Sequence, residues 1–442
     1  MPSADDAAVF SFVILLYVEH LIFGANRGDL SLFFAILHLL ILLAALATRA
    51  SRRALDAAPL VVPGGLFALV LAGAFFTLLP LGGRIGHPLW SYVSASGGSV
   101  SLDPAATRVE IVKLLGLAAV FAVGIVFGAK RERAEAMIRA LSYVGGAFAV
   151  WAFLSWSNDP DTIFGTARFY GSGRLAAAFL SANSAATLFA CQSVLQLCLA
   201  IRAVQRAPKP FFSKRAWMEM KGLPAALILL FINVSCLLLT QSRAGVTAAF
   251  AAMALAIALF ALVRTDRRSA VGGVMGVGGL LLCAAAGLVL LKGQSLLGRM
   301  SDNPLMDGRL AYFGAYWRTV QASPWWGYGL GAFASVKYQS ITAPTAVLMG
   351  ALGAAHNVYL QWLLQTGVIG FVPMMGCLAV ILATILNGFR RRSRQQVVMI
   401  VALAVTVVFA FHGMTDYALE EPSLAVSFAA LLGLAYGVAT RT

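Results

Sequence analysis

The sequence predicts an all-α polytopic membrane protein of about twelve transmembrane helices. Three observations carry this. Apolar residues make up 60% of the 442-residue chain and charged residues only 12%, against roughly a quarter charged in a soluble domain. The mean hydropathy is +0.83. The apolar residues gather in runs of about twenty, the length at which a helix crosses a bilayer. Too little polar surface remains to cover a water-soluble globule of this size. Disorder, collagen and a small disulfide scaffold are excluded by the same composition.

The runs lie near 9–24, 29–47, 60–80, 109–128, 136–156, 175–201, 222–240, 244–263, 271–292, 356–386, 397–415 and 423–440. They are long and rich in Leu and Ala, and they lack the ten-residue alternation of barrel strands, so they read as helices. The tenth is too long for one simple span. Gly367, Gly370 and Pro373 predict a break or kink inside it.

Basic clusters fall in every second loop: Arg49 to Arg53, Lys130 to Arg139, Arg202 to Lys221, Arg264 to Arg268 and Arg390 to Arg394, with Arg441 at the end. The positive-inside rule turns these loops and both termini toward the cytoplasm. Residues 1–8 have no basic leader, so no cleavable signal peptide is expected. The inner side then holds 21 of the 33 Lys and Arg and 7 of the 18 acids, or +14 of the net +15. The charge is a topology signal and does not imply nucleic acid. Five cysteines (Cys191, Cys198, Cys236, Cys283, Cys377) sit inside apolar runs with no metal spacing or pairing. They read as small core residues.

The outer loops become 25–28, 81–108, 157–174, 241–243, 293–355 and 416–422. The fifth is large enough for a small subdomain with short helices. Leu310, Tyr312, Phe313, Tyr316, Trp317 and Val320 have the spacing of an amphipathic helix, which Ser323-Pro324 ends. Arg174 precedes the sixth span, Arg243 opens the eighth after Thr240-Gln241-Ser242, and His356-Asn357 opens the tenth. Each of these spans presents its N-terminus outward. Unpaired N–H groups there, with an arginine beside them, make a site for phosphate-type anions. Taken singly, either arginine also fits a side chain snorkelling to lipid headgroups. Arg309, in the large loop near Asp302 and Asp307, fits an anion contact or a surface ion pair. A neutral imidazole at a helix start, as at His356, can accept a proton. His412 and Asp416 stand four apart on one helix face and fit a structural pair or a catalytic one. His20 and His38 read as packed or bonded within spans. Asp159-Pro160-Asp161 reads as a loop turn, and Gly327 to Gly331 as a tight turn rather than a nucleotide loop. Glu19, Glu420 and Glu421 are candidate ion sites, because acids at membrane depth are rarely idle.

Four stretches in order resemble the O-antigen ligase and O-antigen polymerase superfamily of bacterial envelope enzymes. They are Gly173-Arg174 with Phe179 to Asn183, Thr240 to Gly245, Arg309 to Trp317 with Ser323 to Phe333, and His356 to Gln361 with Gly367 and Gly370. Ala182 stands where the family usually has proline. The likeness runs from about residue 173 to the C-terminus. It divides the chain into about five N-terminal helices (1–172) and a ligase/polymerase-like core (173–442) that includes the loop 293–355.

The resemblance implies a GT-C-like, metal-independent, inverting glycosyltransferase of the bacterial inner membrane, with its site facing the periplasm and no cofactor. The donor would be a glycan on undecaprenyl pyrophosphate. The acceptor would be lipid A–core for a ligase or another lipid-linked glycan for a polymerase. His356 would be the base, and Arg174, Arg243 and Arg309 would hold the pyrophosphate. Asn183, Asn357, Asp416 and His412 would support them. The competing class is a transporter or flippase for lipid-linked glycans. Transporters place binding residues near the midplane and often carry internal repeats, whereas here the distinctive polar residues fall at the outer ends of spans.

Overall fold

A computed structural model describes residues 4–81, 86–92, 98–168, 173–206, 222–263, 279, 304–392 and 394–441, without the side chains of Ala4, Ser91, Arg206, 304–311, Pro344 and Leu348. The helices are α1 (Ala4–Leu21), α2 (Gly28–Leu46), α3 (Arg49–Asp56), α4 (Val61–Thr77), α5 (Pro104–Gly128), α6 (Arg131–Asn158) and α7 (Ala182–Arg206). They continue with α8 (Leu223–Leu239), α9 (Arg243–Val263), α10 (Pro304–Ala322), α11 (Phe333–Ser340), α12 (Ala346–Gly350), α13 (Val358–Arg391), α14 (Gln396–His412) and α15 (Pro422–Thr440). A two-residue ladder, Thr162–Ile163 against Thr166–Ala167, interrupts the helical pattern in the loop after α6.

Seven of these helices (α2, α5, α6, α7, α9, α13 and α15) are long and apolar enough to cross a membrane. The pair α3 and α4, bent by 91°, makes an eighth candidate, and α8 and α14 are apolar but shorter. The chain is thus a multi-pass helical membrane protein. Each stretch read as a span overlaps a described helix, apart from the ninth, which lies outside the described residues except for Gly279.

Local chemistry sets several helix starts. Asp103 accepts the Ala106 N–H at 2.9 Å and Pro104 follows it, so α5 begins there. Ser242 accepts the Gly245 N–H at 3.3 Å and starts α9. Asn357 accepts the Leu360 N–H at 3.0 Å and starts α13.

Small residues let the central helices meet. On α5 and α15, Gly124 and Gly128 face Gly433 and Gly437 so closely that a Cβ at Gly433 would lie 2.1 Å from the Phe121 carbonyl oxygen. Van der Waals contact at such approach drives helix association where lipid removes the hydrophobic gain. Buried polar pairs add rungs. His20 bonds Ser423 at 2.8 Å and Ser427 at 3.1 Å. Glu19 and His38 meet at 2.8 Å. The His20 contacts tie α1 to α15, across the 172/173 division, and the Glu19–His38 pair ties α1 to α2.

The two ends of the bundle differ. At one end Arg133 meets Asp5 at 2.7 Å, Arg202 meets Glu135 at 2.9 Å, and Arg441 meets Gln395 at 2.9 Å. The loops carrying Arg174, Arg243, His356 and Asp416 lie at the other.

The break foreseen in the tenth span falls at Gly367, where φ is +57° and ψ −168°. Inside a membrane protein the freed backbone groups need protein partners. The segment 324–329 supplies them: Val368 N–H donates to Pro324, Ile369 to Trp325, Tyr328 to Leu364 and Gly329 to Gln365, at 2.8–3.1 Å. Gly327 to Gly331 is therefore a turn, with positive φ at Gly327, Gly329 and Gly331. The large loop has its own small core around Tyr316, Tyr328, Phe333, Val336, Met349 and Leu364. Its first helix, α10, ends at Ala322, just before Ser323-Pro324.

Candidate active site

The start of α13 is fastened to the end of α14. Val358 N–H donates to Gly413 at 2.8 Å, the Asn357 amide to the Met414 carbonyl at 3.0 Å, and the Tyr359 hydroxyl to the Ala410 carbonyl at 2.9 Å. His356, just before this clamp, adopts the left-handed region with φ +50°. Such a conformation costs a non-glycine residue about 1–2 kcal/mol. It turns the ring so that Nδ1 lies 3.3 Å from Asp416 Oδ1 and the ring edge packs on Tyr417. Asp416 is fully buried, while His356 keeps 21% of its side chain exposed.

His412 joins the remaining parts. Its Nδ1 is 2.8 Å from the Thr187 hydroxyl on α7 and its Nε2 is 3.5 Å from the Ser242 hydroxyl in the α8–α9 turn. Asp416 Oδ2 lies 3.9 Å from that same Nε2, beyond hydrogen-bond reach. Burial by itself would raise the Asp416 carboxyl. The His356 hydrogen bond and the two imidazoles outweigh it and hold the group below the ordinary carboxylate value.

Arg174 reaches the site by a route that hydropathy did not indicate. The sixth span was expected from residue 175, but α7 begins at Ala182. Ala177 takes a left-handed φ of +49°, and Arg168 donates to the carbonyls of Thr162, Ala177 and Phe179, the longest contacts at 3.2 Å. Those carbonyls are withdrawn from any helix. The segment folds back, with Leu175 N–H on the Leu239 carbonyl at 3.0 Å. Arg174 Nε then donates to Thr240 at 2.8 Å and Nη2 to Asn183 Oδ1 at 3.2 Å, on the first turn of α7. Its guanidinium therefore bridges α7 to the turn that precedes Arg243. Arg243 is the first residue of α9 and its side chain is exposed.

His356, Asp416, His412, Arg174, Asn183, Asn357 and the Arg243 turn thus belong to one connected set of contacts. Arg309 lies in α10, and its side chain falls outside the described residues. Asp302 is also outside them. One contributor escaped the sequence reading, and another, Glu421, was read only as a candidate ion site. Arg168 shapes the approach of Arg174. Glu421 is fully buried, takes the Asn26 amide at 3.2 Å, and stands close beneath Gly24. Burial, with Asp416 beside it, pushes Glu421 up to about 8. Neither role has a local spacing signature, since each depends on partners brought from another loop.

The loop turn expected at Asp159-Pro160-Asp161 is present. Asp159 accepts the Asp161 N–H at 3.0 Å within a turn. His87 packs against Tyr328 and its Nδ1 accepts the Leu89 N–H at 3.2 Å. Among the described residues, no three His, Cys, Asp or Glu are grouped to hold a metal ion.

No curated protein matches the chain in a sequence search. A family model described as O-antigen ligase matches residues 225–375. That segment holds the Thr240–Arg243 turn, the 323–333 turn and His356 with the Gly367 break. Over that segment the chain is similar to the O-antigen ligase family.

Proposed function

We propose that this protein transfers a glycan from undecaprenyl pyrophosphate to a sugar hydroxyl on the periplasmic face of the bacterial inner membrane, as an O-antigen ligase with lipid A–core as acceptor. The observation that carries the reading is the Asp416-backed His356, held in one contact network with the Arg174–Thr240–Arg243 side.

An ionised Asp416 accepting from Nδ1–H fixes the His356 tautomer and leaves the Nε2 lone pair as the base. A sugar hydroxyl attacks the anomeric carbon as Nε2 takes its proton. The bond from that carbon to the pyrophosphate oxygen breaks, and its electron pair leaves with the pyrophosphate. Asp416 stabilises the imidazolium that forms. Arg174 and Arg243 stabilise the growing phosphate charge by forked contacts, the role a metal plays in other transferases. Attack opposite the leaving group inverts the anomeric centre. The phosphoanhydride-linked donor supplies the energy.

The test is a deletion strain examined by lipopolysaccharide gel. Loss of all O-chain from lipid A–core supports the ligase. A single attached repeat without a ladder identifies an O-antigen polymerase. Intact lipopolysaccharide with lost secreted polysaccharide identifies an exopolysaccharide polymerase.

A further inference from the structure

A second polar feature lies beside the 416–421 segment. Glu19, His38, Glu110, Lys113, Gln365 and Glu420 line a cavity of about 60 Å³ between α1, α2, α5, α13 and the start of α15. Glu110 and Lys113 pair at 2.5 Å. Glu19 and His38 are 1% exposed, and among the described residues Glu19 Oε2 and His38 Nδ1 have no hydrogen-bond partner. Unmet buried polar atoms of this kind are costly and point to an occupant.

Beside the cavity runs an apolar groove of about 310 Å³ between α4, α5, α13 and α15. Leu114, Leu117, Trp362, Leu419 and Ala425 belong to the walls of both. The pair of spaces is shaped for an amphipathic molecule, with a chain in the groove and a head in the cavity.

Charge selects the head. Three acidic side chains and one histidine share the cavity with one lysine, which is already paired with Glu110, so a pyrophosphate finds little positive charge here. A head bearing an ammonium beside a phosphate is matched by Glu420 and Glu110 with Lys113. Burial, with Glu110 close by, raises the Glu420 carboxyl to about 7. Size and chemistry narrow it further. A water needs roughly 10–15 Å³ of such space, so the cavity has room for about four to six small atoms. An ethanolamine ammonium fits and offers N–H donors to the carboxylates. A trimethylammonium is larger and offers none.

We propose that this groove and cavity bind a phospholipid with a primary-ammonium head, phosphatidylethanolamine, separately from the glycan donor. Trp362 and Gln365 sit on the first segment of α13, directly after His356, so the bound lipid braces the element that positions the base.

The test uses the full chain in detergent with defined lipids, followed by native mass spectrometry and thermal unfolding. Phosphatidylethanolamine should bind at least fivefold better than phosphatidylcholine or phosphatidylglycerol and raise the melting temperature most. Glu110→Gln with Glu420→Gln should bring that ratio close to one. Equal binding of all three heads by the wild-type chain, which requires no variant to fold, overturns the proposal. So does preferential binding of phosphatidylglycerol, or displacement of phosphatidylethanolamine by undecaprenyl pyrophosphate, which would give the groove to the donor. A discrimination that survives in the double variant also overturns it. Failure of the glycan-transfer reading leaves these binding outcomes unaffected.

Discussion

Replacing Asp416 by Asn tests the site most directly. The side chain keeps its volume in a fully buried position but loses its charge. A hydrogen bond to a charged group contributes about 1.5–3 kcal/mol. The 3.3 Å separation from His356 is long for a charge-assisted bond, so the lower part of that range applies, about 1.5–2 kcal/mol. At 1.36 kcal/mol per tenfold, initial transfer rates should fall about 10- to 30-fold. The assay is the initial rate of glycan transfer in proteoliposomes with a lipid-linked donor, alongside a melting curve. Asp416 acts through His356, so in a His356→Ala background Asp416→Asn should change little more. A wild-type rate for the single variant, or full additivity in the double, would refute this reasoning.

Further outcomes follow from the same geometry. His356→Ala should lower transfer by about 10²–10⁴-fold, the range of a lost general base, with unchanged membrane insertion; normal transfer removes the base assignment. Arg174→Lys should lower kcat strongly, because an ammonium cannot hold Thr240 and Asn183 in the flat fork and still face a phosphate; unaltered turnover assigns Arg174 to structure alone. Gly367→Ala places a Cβ 2.2 Å from the Trp325 carbonyl oxygen at a positive φ. It should cut the yield of folded protein, while Gly64→Ala, with open space around it, leaves the yield as it is; equal yields would show that the break tolerates a side chain. Glu421 has its carboxyl raised to about 8, so its share of stability is full below the ordinary carboxylate range and is lost as pH rises through about 8. Glu421→Gln should therefore unfold with a shallower dependence on pH between 6 and 8 than the wild type. A parallel slope in the two proteins would mean that Glu421 does not titrate there. Asp416 has the opposite sign, with its contribution lost only as acid protonates it.

Much of the architecture was legible because membrane helices are written locally. Each needs about twenty apolar residues, and each ends where capping or turn residues occur. The α13 break was readable from Gly367 because that backbone suits glycine. Arg243 and His356 were readable at helix starts because Ser242 and Asn357 mark the caps beside them. The late start of α7 was not readable. Hydropathy runs unbroken through Leu175 to Leu180, and what unwinds it is Arg168, an arginine in the preceding loop.

The sequence by itself determined the class of molecule, most helices of the bundle and which polar residues gather at one of its ends. Composition and periodicity report on burial in lipid, and that is a property of each segment alone. Only the tertiary structure decided that Asp416 meets His356 at hydrogen-bond distance, while His412, its neighbour one helical turn away, lies farther off. It also decided that Arg174 reaches Thr240 across 66 residues of chain, and that Glu19 and Glu420 face one cavity from opposite ends of the sequence. Such contacts depend on how helices are placed against one another. That placement is set by close glycine approaches and buried polar pairs between distant segments.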